Sequence, residues 1–247
     1  MSVDLNCDLG ETEAPRVTAG LMRCVTSANI ACGGHAGDVS SVRRCLRLAK
    51  RFKVRVGAHP GFPDKQNFGR ARIALAAGEL ELLLLHQVSG FEKLATDEGL
   101  ELHHIKLHGA LYHAVEESPL LAREYISAIK RWWPKTKIYA RSGGAVAKLP
   151  KRWKVAVWEE IFADRQYSKD GALVARDRPG ALIHSGAECE RRLEKFLRSG
   201  KIETANGEFL KLSAQTVCLH SDTPNALNRA RRIYSLLQRM RQLDRPG

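Results

Sequence analysis

The stretch Val3–Asp8 reads VDLNCD, and its apolar and polar residues alternate strictly. Successive side chains of a β-strand point to opposite faces, so one face of this strand is apolar and the other is polar. The strands of a parallel sheet are usually apolar on both faces, because both are covered. Polar groups on one face are costly unless they form hydrogen bonds or line a wet cavity. We therefore predict a strand at Ser2–Cys7 that borders a functional site. Its polar face carries Asp4, Asn6 and Asp8.

Short β-type runs alternate with helical periodicity along the rest of the chain. Apolar residues recur at i+3 and i+4 between Leu80 and Ala95, which predicts a long amphipathic helix. Other helices are predicted from near Asp38, at Leu120–Trp133, and from Ala226 to Met240. Further strands are predicted at Ala28–Ile30, Val54–Ala58, Leu102–Leu107, Lys137–Ala140, Val155–Trp158 and Thr216–Leu219.

The alternation of strands and helices predicts an α/β fold with a parallel sheet. The chain of 247 residues holds about seven β-α units and no linker, and it has no G-x-G-x-x-G turn of a doubly wound sheet. We therefore predict one domain, residues 1–247, built as a distorted seven-stranded (β/α) barrel.

The composition excludes several classes of protein. Hydrophobic residues make up 44% and charged residues 27%, which is ordinary for a globular domain. No stretch approaches the roughly 18 apolar residues of a membrane span, and MSVDLNCD does not resemble a secretory signal, so we expect a cytoplasmic protein. The six cysteines show no C-x-x-C spacing, so we expect reduced thiols.

The formal net charge of +13 is compatible with an anionic substrate, an acidic partner or a nucleic acid. The basic residues are spread widely, and neither an RNP motif nor C2H2 spacing accompanies them. We therefore interpret the charge as a basic surface and expect no nucleic-acid partner.

Polar residues gather where the predicted strands end. His104, Lys106 and His108 share one face of the fourth strand, His59 follows the third, and His220 follows the last. In α/β barrels the active site lies at the carboxyl ends of the strands. These groups permit hydrolytic or acyl-transfer chemistry, because histidines and carboxylates serve as acid and base and a lysine neutralises an oxyanion.

Each of these residues also has a simpler interpretation. A single histidine at a strand end is often only a hydrogen-bonded core residue. Asp38 and Asp222 suit helix N-caps, and Cys7, Cys32 and Cys218 suit buried structural thiols. The repetition over four strands favours an active site. Asp and His side chains could also hold a metal, but no H-E-x-x-H or H-x-H spacing supports one, and there is no Walker loop for a nucleotide.

Longer motifs run in order through nearly the whole chain. They are DLNCDLGE (Asp4–Glu11), TSANIACGGHAGD (Thr26–Asp38), GAHPGFPD (Gly57–Asp64), FGR (Phe68–Arg70), IKLHGALY (Ile105–Tyr112), EIFADRQY (Glu160–Tyr167), LVAR (Leu173–Arg176) and HSDTP (His220–Pro224). Through these motifs the sequence resembles the LamB/YcsF family, described as the A subunits of bacterial 5-oxoprolinases. The departures, such as Leu107 where the family has Pro and Ser221 where it has Gly, remove no acid-base group.

The resemblance implies an ATP-dependent opening of 5-oxoproline to L-glutamate, with ATP and Mg²⁺ as co-substrate and with subunits B and C as partners. It also implies a barrel of the type found in sugar deacetylases and related glycoside hydrolases. A protein-bound metal and a homo-oligomer are left open.

The matched motifs supply the candidate site residues. Asp8 or His59 would activate water, Lys106 and His108 would contact the activated lactam, and His35 or His220 would carry protons, with Asn6 beside them. Arginines would bind the substrate carboxylate or the ATP phosphates. The candidates for substrate or nucleotide binding are Arg70, Glu160, Asp164, Arg165, Arg176 and Asp222.

Two other functions remain open from the sequence. A metal-dependent deacetylase or amidohydrolase on a similar barrel would use Asp8, His35 and His59 as ligands. A nucleic-acid-binding or regulatory protein would use the +13 charge instead.

Overall fold

Seven parallel strands close into a barrel in the computed structural model, which describes residues 3–76, 78–149 and 151–240. The first and last barrel strands pair with each other and complete the ring. The predicted seven-stranded barrel is confirmed. Its strands in spatial order are β1 (Asp4–Leu9), β2 (Ser27–Ala31), β3 (Arg55–His59), β4 (Leu102–Ile105), β5 (Lys137–Arg141), β6 (Val157–Phe162) and β9 (Thr216–Leu219). A separate antiparallel hairpin consists of β7 (Lys201–Glu203) and β8 (Phe209–Lys211).

Helices connect the strands and cover the barrel with their apolar faces. In the long third helix, for example, the buried residues recur at i+3 and i+4 from Leu80 to Ala95, as predicted. None of the helices in the described ranges combines the length and apolarity needed to cross a membrane. The helices are α1 (Pro15–Met22), α2 (Val39–Phe52), α3 (Glu79–Asp97), α4 (Gly109–Glu117), α5 (Pro119–Trp132), α6 (Gly186–Ser199) and α7 (Ala226–Arg239).

A layer of hydrogen bonds around Asp4 fills the barrel interior at the amino ends of its strands. One carboxylate oxygen accepts from the Thr26 hydroxyl at 2.6 Å and from the Arg55 guanidinium at 3.0 Å. The other accepts from the Ser27 and Thr216 hydroxyls, each at 2.6 Å. A buried carboxylate with four donors is satisfied. The polar face predicted from Val3–Asp8 therefore has two roles. Asp4 links neighbouring strands by hydrogen bonds, and Asn6 and Asp8 extend to the candidate site.

Several predicted boundaries are wrong. The strand predicted at Val155–Trp158 lies at Val157–Phe162, because its charged residues Glu159 and Glu160 continue the strand instead of ending it. Strand β4 ends at Ile105 rather than Leu107, although the Lys106 N–H still donates to a carbonyl of β3. Ser2, which was placed in the first strand, lies outside the described residues.

The sequence pattern missed three helices and the hairpin. Helix α6 buries only Cys189, Leu193 and Phe196 among many charged residues, so its apolar stripe is thin. Helix α4 begins directly after His108, and α1 is only 8 residues long. The two hairpin strands have 3 residues each, which is too short for an alternation to be recognised.

The two predicted helix caps have different outcomes. Asp38 is the N-cap of α2, where its carboxylate accepts from the Ser41 N–H at 2.8 Å and the Ser41 hydroxyl accepts from the Asp38 N–H at 2.9 Å. The prediction for Asp222 is wrong, because α7 has Asn225 as its N-cap. The Asp222 carboxylate instead forms ion pairs with Arg70 and Arg176.

The Asp4 layer generates a prediction about stability. The change Asp4→Ala leaves the Arg55 guanidinium and three hydroxyls without their buried acceptor, so we expect the free energy of unfolding to fall by about 3–5 kcal/mol. Urea unfolding followed by circular dichroism measures this. The exposed Asp97, which pairs with Lys93 one turn away, provides the matched control Asp97→Ala. Equal stabilities of the two variants would contradict the role of the layer.

Candidate active site

The Lys106 side chain lies in the middle of the barrel and directly below the carboxyl ends of the strands. It is 2% exposed, and its ammonium lies 2.9 Å from Asp8 on β1, 3.2 Å from Glu160 on β6 and 2.9 Å from the Cys218 sulfur on β9. Side chains from three strands thus meet at one cation, whose residue directly follows β4.

The charges around Lys106 are strongly coupled. Burial alone would lower the pKa of Lys106, but the Asp8 and Glu160 carboxylates more than offset it and raise that pKa well above its usual range. Burial would likewise raise the pKa of Asp8, yet His59 and Lys106 hold it well below its usual range. Burial raises the pKa of Glu160 in spite of Lys106. Lys106 is therefore a permanent cation and Asp8 a permanent anion at neutral pH.

Two asparagines support these carboxylates from the layer below. The Asn6 amide donates to Glu160 at 3.0 Å and to the Thr216 hydroxyl at 2.6 Å. The Asn29 amide donates to Asp8 and to the Asn6 carbonyl oxygen, each at 2.7 Å. Asn6 and Glu160 do not line the pocket described below. They lie behind it, where they orient Asp8 and Lys106.

Three histidines and Glu11 form a second group beside Asp8. The Glu11 carboxylate lies 2.9 Å from His35 Nε2, 3.4 Å from His108 Nδ1 and 3.9 Å from His59 Nε2. His59 Nε2 is also 3.4 Å from Asp8. Burial, followed by the charge of His59, lowers the pKa of His35 to about 2 and that of His108 well below its usual range.

Two glycines allow the histidine rings to come so close. The rings of His35 and His108 stack with their centroids 3.5 Å apart. A Cβ at Gly61 would lie 2.9 Å from His35 Nδ1, and one at Gly69, whose φ is +63°, would lie 2.7 Å from the His35 Cβ. Side chains at either position would separate the rings.

His220 and Asp164 form a dyad on the other side of the pocket. The Asp164 carboxylate accepts from His220 Nδ1 at 2.9 Å and from the His220 backbone N–H at 3.0 Å. This hydrogen bond fixes the proton of a neutral imidazole on Nδ1 and leaves the lone pair on Nε2. The dyad is therefore built to accept or return a proton at Nε2.

A pocket with a cavity volume of about 50 Å³ opens above Lys106. Arg70 and Arg176 in its wall are both paired with Asp222. Arg165 is 2% exposed and donates to the Val174 carbonyl, while its Nε has no partner. Among the described residues no carboxylate forms an ion pair with Arg165. The predicted residues that line the pocket are Asp8, His59, Arg70, Lys106, His108, Arg165, Arg176 and His220.

The remaining predicted residues support this lining. His35 lies behind His108 and contacts Glu11, Asp164 holds His220, and Asp222 holds two of the arginines. Contributors that were not predicted include Asn29, which donates to Asp8, and also Glu11 and Tyr112. Glu11 was visible only as the last letter of DLNCDLGE, after Gly10 turns the chain with φ +75°. Tyr112, which donates to Glu160 at 3.2 Å, lies one helical turn after His108.

Two groups of side chains in the described ranges could hold a metal ion. They are Glu11, His35, His59 and His108, and separately Asp8, Cys218 and His220. Asp8 and Cys218 of the second group already contact the Lys106 ammonium, which neutralises the Asp8 carboxylate. The first group contains no side-chain cation of its own apart from a protonated histidine.

Comparisons with known proteins show which sequences and which solved structure this chain is similar to. The sequence profile described as the LamB/YcsF family matches residues 3–244. The Pyrococcus abyssi protein named as the A subunit of 5-oxoprolinase is 41% identical over 242 residues, which cover 96% of this chain and 94% of that protein. The protein of the same name in Pyrococcus furiosus is 42% identical over 231 residues, covering 92% and 90%. The crystal structure of a lactam utilization protein from Thermus thermophilus superposes with a TM-score of 0.90 at 34% identity, covering 100% of both chains.

The Asp164–His220 dyad predicts a specific dependence of stability on pH. Burial would raise the pKa of Asp164, but His220 and its two hydrogen bonds more than offset this and lower the pKa to about 2. A carboxyl with a depressed pKa in the folded state stabilises the protein above its unfolded pKa, and this contribution is lost as the pH falls from about 4 to about 2. It amounts to roughly 2 kcal/mol.

We expect the change Asp164→Asn to remove this part of the pH dependence. Urea midpoints measured at several pH values should fall more steeply below pH 4 for the original chain than for the variant. Parallel curves for the two proteins would show that the dyad does not supply this stability.

Proposed function

The chain belongs to the LamB/YcsF family, and we propose that it opens the lactam ring of 5-oxoproline to give L-glutamate, as the A subunit of an ATP-dependent 5-oxoprolinase. The observation that carries the proposal is the Arg165 guanidinium, buried in the pocket wall without an ion pair among the described residues. A buried charge without a partner is costly, and an anionic ligand would supply the missing partner.

The arginines support an anionic substrate of small size. Arg165 and Arg176 line the same pocket as Lys106, and its cavity of about 50 Å³ admits only a small ligand. The 5-oxoproline carboxylate, or a phosphate transferred to the lactam, has the geometry that a guanidinium binds with two hydrogen bonds. ATP with Mg²⁺ is part of this proposal as the co-substrate, and subunits B and C are part of it as partners.

The reaction needs activation because hydrolysis of an unstrained five-membered lactam is uphill. Transfer of the ATP γ-phosphoryl group to the lactam oxygen would turn that oxygen into a leaving group. Water would then attack the same carbon, and the ring C–N bond would break as its nitrogen takes a proton. A second water would hydrolyse the resulting acyl phosphate to L-glutamate and phosphate. The protein has to position the water, stabilise negative charge on oxygen and move these protons.

The geometry suits particular side chains for these tasks. The anionic Asp8 carboxylate, which borders the pocket, would accept the proton of the attacking water. The Lys106 ammonium would stabilise charge on the substrate oxygen, since the pocket opens directly onto it. His220, oriented by Asp164, would take up a proton at its Nε2 and deliver it to the ring nitrogen.

Removal of the central ion pair tests the proposal. We expect Lys106→Met and Asp8→Asn each to lower glutamate release from 5-oxoproline and ATP by at least about 100-fold in the complex with subunits B and C, because each loses a group that acts on the reacting atoms. The exposed His86 on α3 gives the control His86→Ala. Glutamate release at the original rate in either variant would contradict these roles.

The buried arginine makes a second, separable prediction. The change Arg165→Met removes a charge-assisted bond to the anion, so we expect kcat/KM for 5-oxoproline to fall roughly 10- to 100-fold, mainly through KM. The matched control is Arg72→Met, because Arg72 is 86% exposed and lies outside the pocket lining. An unchanged KM in Arg165→Met would place the substrate anion elsewhere.

One observation favours a second candidate function, a metal-dependent amide hydrolase that acts without ATP. The group formed by Glu11, His35, His59 and His108 has the residue types that hold catalytic zinc. Hydrolysis of acetylated sugars or of simple amides by the isolated chain without ATP, abolished by a chelator, would support this candidate. Glutamate release that requires both 5-oxoproline and ATP would exclude it as the main activity.

A further inference from the structure

The hydrogen bonds of His59 and His108 fix where their ring protons lie. His59 Nδ1 is 2.8 Å from the Lys106 carbonyl oxygen, and His108 Nε2 is 3.0 Å from the Phe68 carbonyl oxygen. A carbonyl oxygen only accepts, so each ring donates an N–H there. The other nitrogens, His59 Nε2 and His108 Nδ1, then carry lone pairs in the neutral rings, and they face each other at 3.0 Å. Two lone pairs at this distance repel unless a cation lies against both.

We propose that Glu11, His59 and His108 bind a divalent transition-metal ion beside Asp8. Their three ligand atoms are separated by 3.0 Å (His59 to His108), 3.4 Å (His108 to Glu11) and 3.9 Å (His59 to Glu11). Bonds of 2.0–2.1 Å in a tetrahedral site put ligand atoms roughly 3.3–3.4 Å apart. The triangle therefore has the size of one face of a coordination polyhedron.

The groups behind the ligands are also those of a metal site. Imidazoles that bind metals donate their second N–H to a carbonyl or carboxylate, and both histidines do so to backbone carbonyls. Ligating carboxylates are themselves hydrogen-bonded, and His35 Nε2 lies 2.9 Å from the Glu11 oxygen that faces the histidines. All three ligand side chains are at least nine-tenths buried.

His35 is assigned to this supporting role and not to the ligands. Its ring is parallel to that of His108 within 3°, with the centroids 3.5 Å apart. A metal ion binds in the plane of an imidazole ring, and no point near both nitrogens lies in the planes of two stacked rings. The ligand set therefore differs from the Asp8, His35 and His59 set that the sequence suggests for a deacetylase. Asp8 faces the remaining side, where His59 and Asp8 both border the pocket.

The donor set also indicates the kind of metal. Two imidazoles and one carboxylate suit Zn²⁺ and neighbouring divalent transition metals, whereas Mg²⁺ and Ca²⁺ prefer oxygen ligands alone. Three protein ligands leave a position open for water or substrate. An ion here would lie next to the water-activating side of the pocket.

Metal titration of the isolated chain tests the inference without 5-oxoproline, ATP or other subunits. The chain is stripped with a chelator, dialysed and titrated with Zn²⁺ by calorimetry, and the bound metal is counted by elemental analysis. We expect one ion per chain, and we expect Glu11→Gln and His108→Gln each to weaken binding by more than about 100-fold, the upper effect of losing an outer-shell partner. His86→Gln, which changes an exposed histidine, should bind as the original chain does.

A second measurement needs no variant. Co²⁺ added to the stripped chain should give visible d–d bands without a thiolate charge-transfer band, because the proposed ligands contain no sulfur. A thiolate band would place the ion at Cys218 and overturn the assignment. Absence of binding would also overturn it. The proposed function has its own readout in glutamate release, so the two can fail separately.

Discussion

The buried ammonium of Lys106 is the charge around which the barrel interior is arranged. A cation removed from water at this depth needs anions within contact distance, and Asp8 and Glu160 supply them from strands on opposite sides of β9. Those carboxylates need donors in turn, which Asn6 and Asn29 provide from the layer below. At the amino end of the barrel, the buried Asp4 carboxylate likewise accepts hydrogen bonds from neighbouring strands. These polar residues are thus tolerated inside the barrel because each of them has hydrogen-bond or ion-pair partners in its own or the neighbouring layer.

The strand pattern predicted this architecture because it depends on local parity. The alternation in VDLNCD put Asn6 and Asp8 on the inner face of β1, and the same parity put Lys106 inside near the end of β4. The prediction was least accurate for β6, in which charged residues interrupt the apolar run. Its Glu160 is inside because Lys106 neutralises it from another strand. The Lys106–Glu160 ion pair joins residues far apart in the chain, so the local sequence pattern around β6 does not predict it.

The rim of the site depended even more on distant contacts. His59 and His108 were predicted because they continue the strands, but Glu11 comes from a loop and His35 from a Gly-rich turn. Their meeting requires Gly61 and Gly69 to let two rings stack, which is a property of packing between loops. The deacetylase-type ligand set considered from the sequence takes no account of that stacking. The motifs contain residues that line one pocket, and only the geometry separates ligand-type atoms from the groups that orient them.

The site therefore has two parts. The floor, formed by Lys106, Asp8 and Glu160, has balanced charges, and the rim, which includes Arg165, His59 and His108, does not. In the floor, Lys106, Asp8 and Glu160 have their partners within the protein, so this part is rigid before any ligand arrives. On the rim, Arg165 pairs with no anion among the described residues, and His59 and His108 bring two nitrogens within 3.0 Å of each other, where the proposed metal ion would bind. The arginine would be complemented by an anion and the two histidine nitrogens by a cation, and all three side chains border one pocket. A substrate anion and a bound cation would satisfy both, so binding energy would come from completing the rim while the preorganised floor stays in place for the reaction.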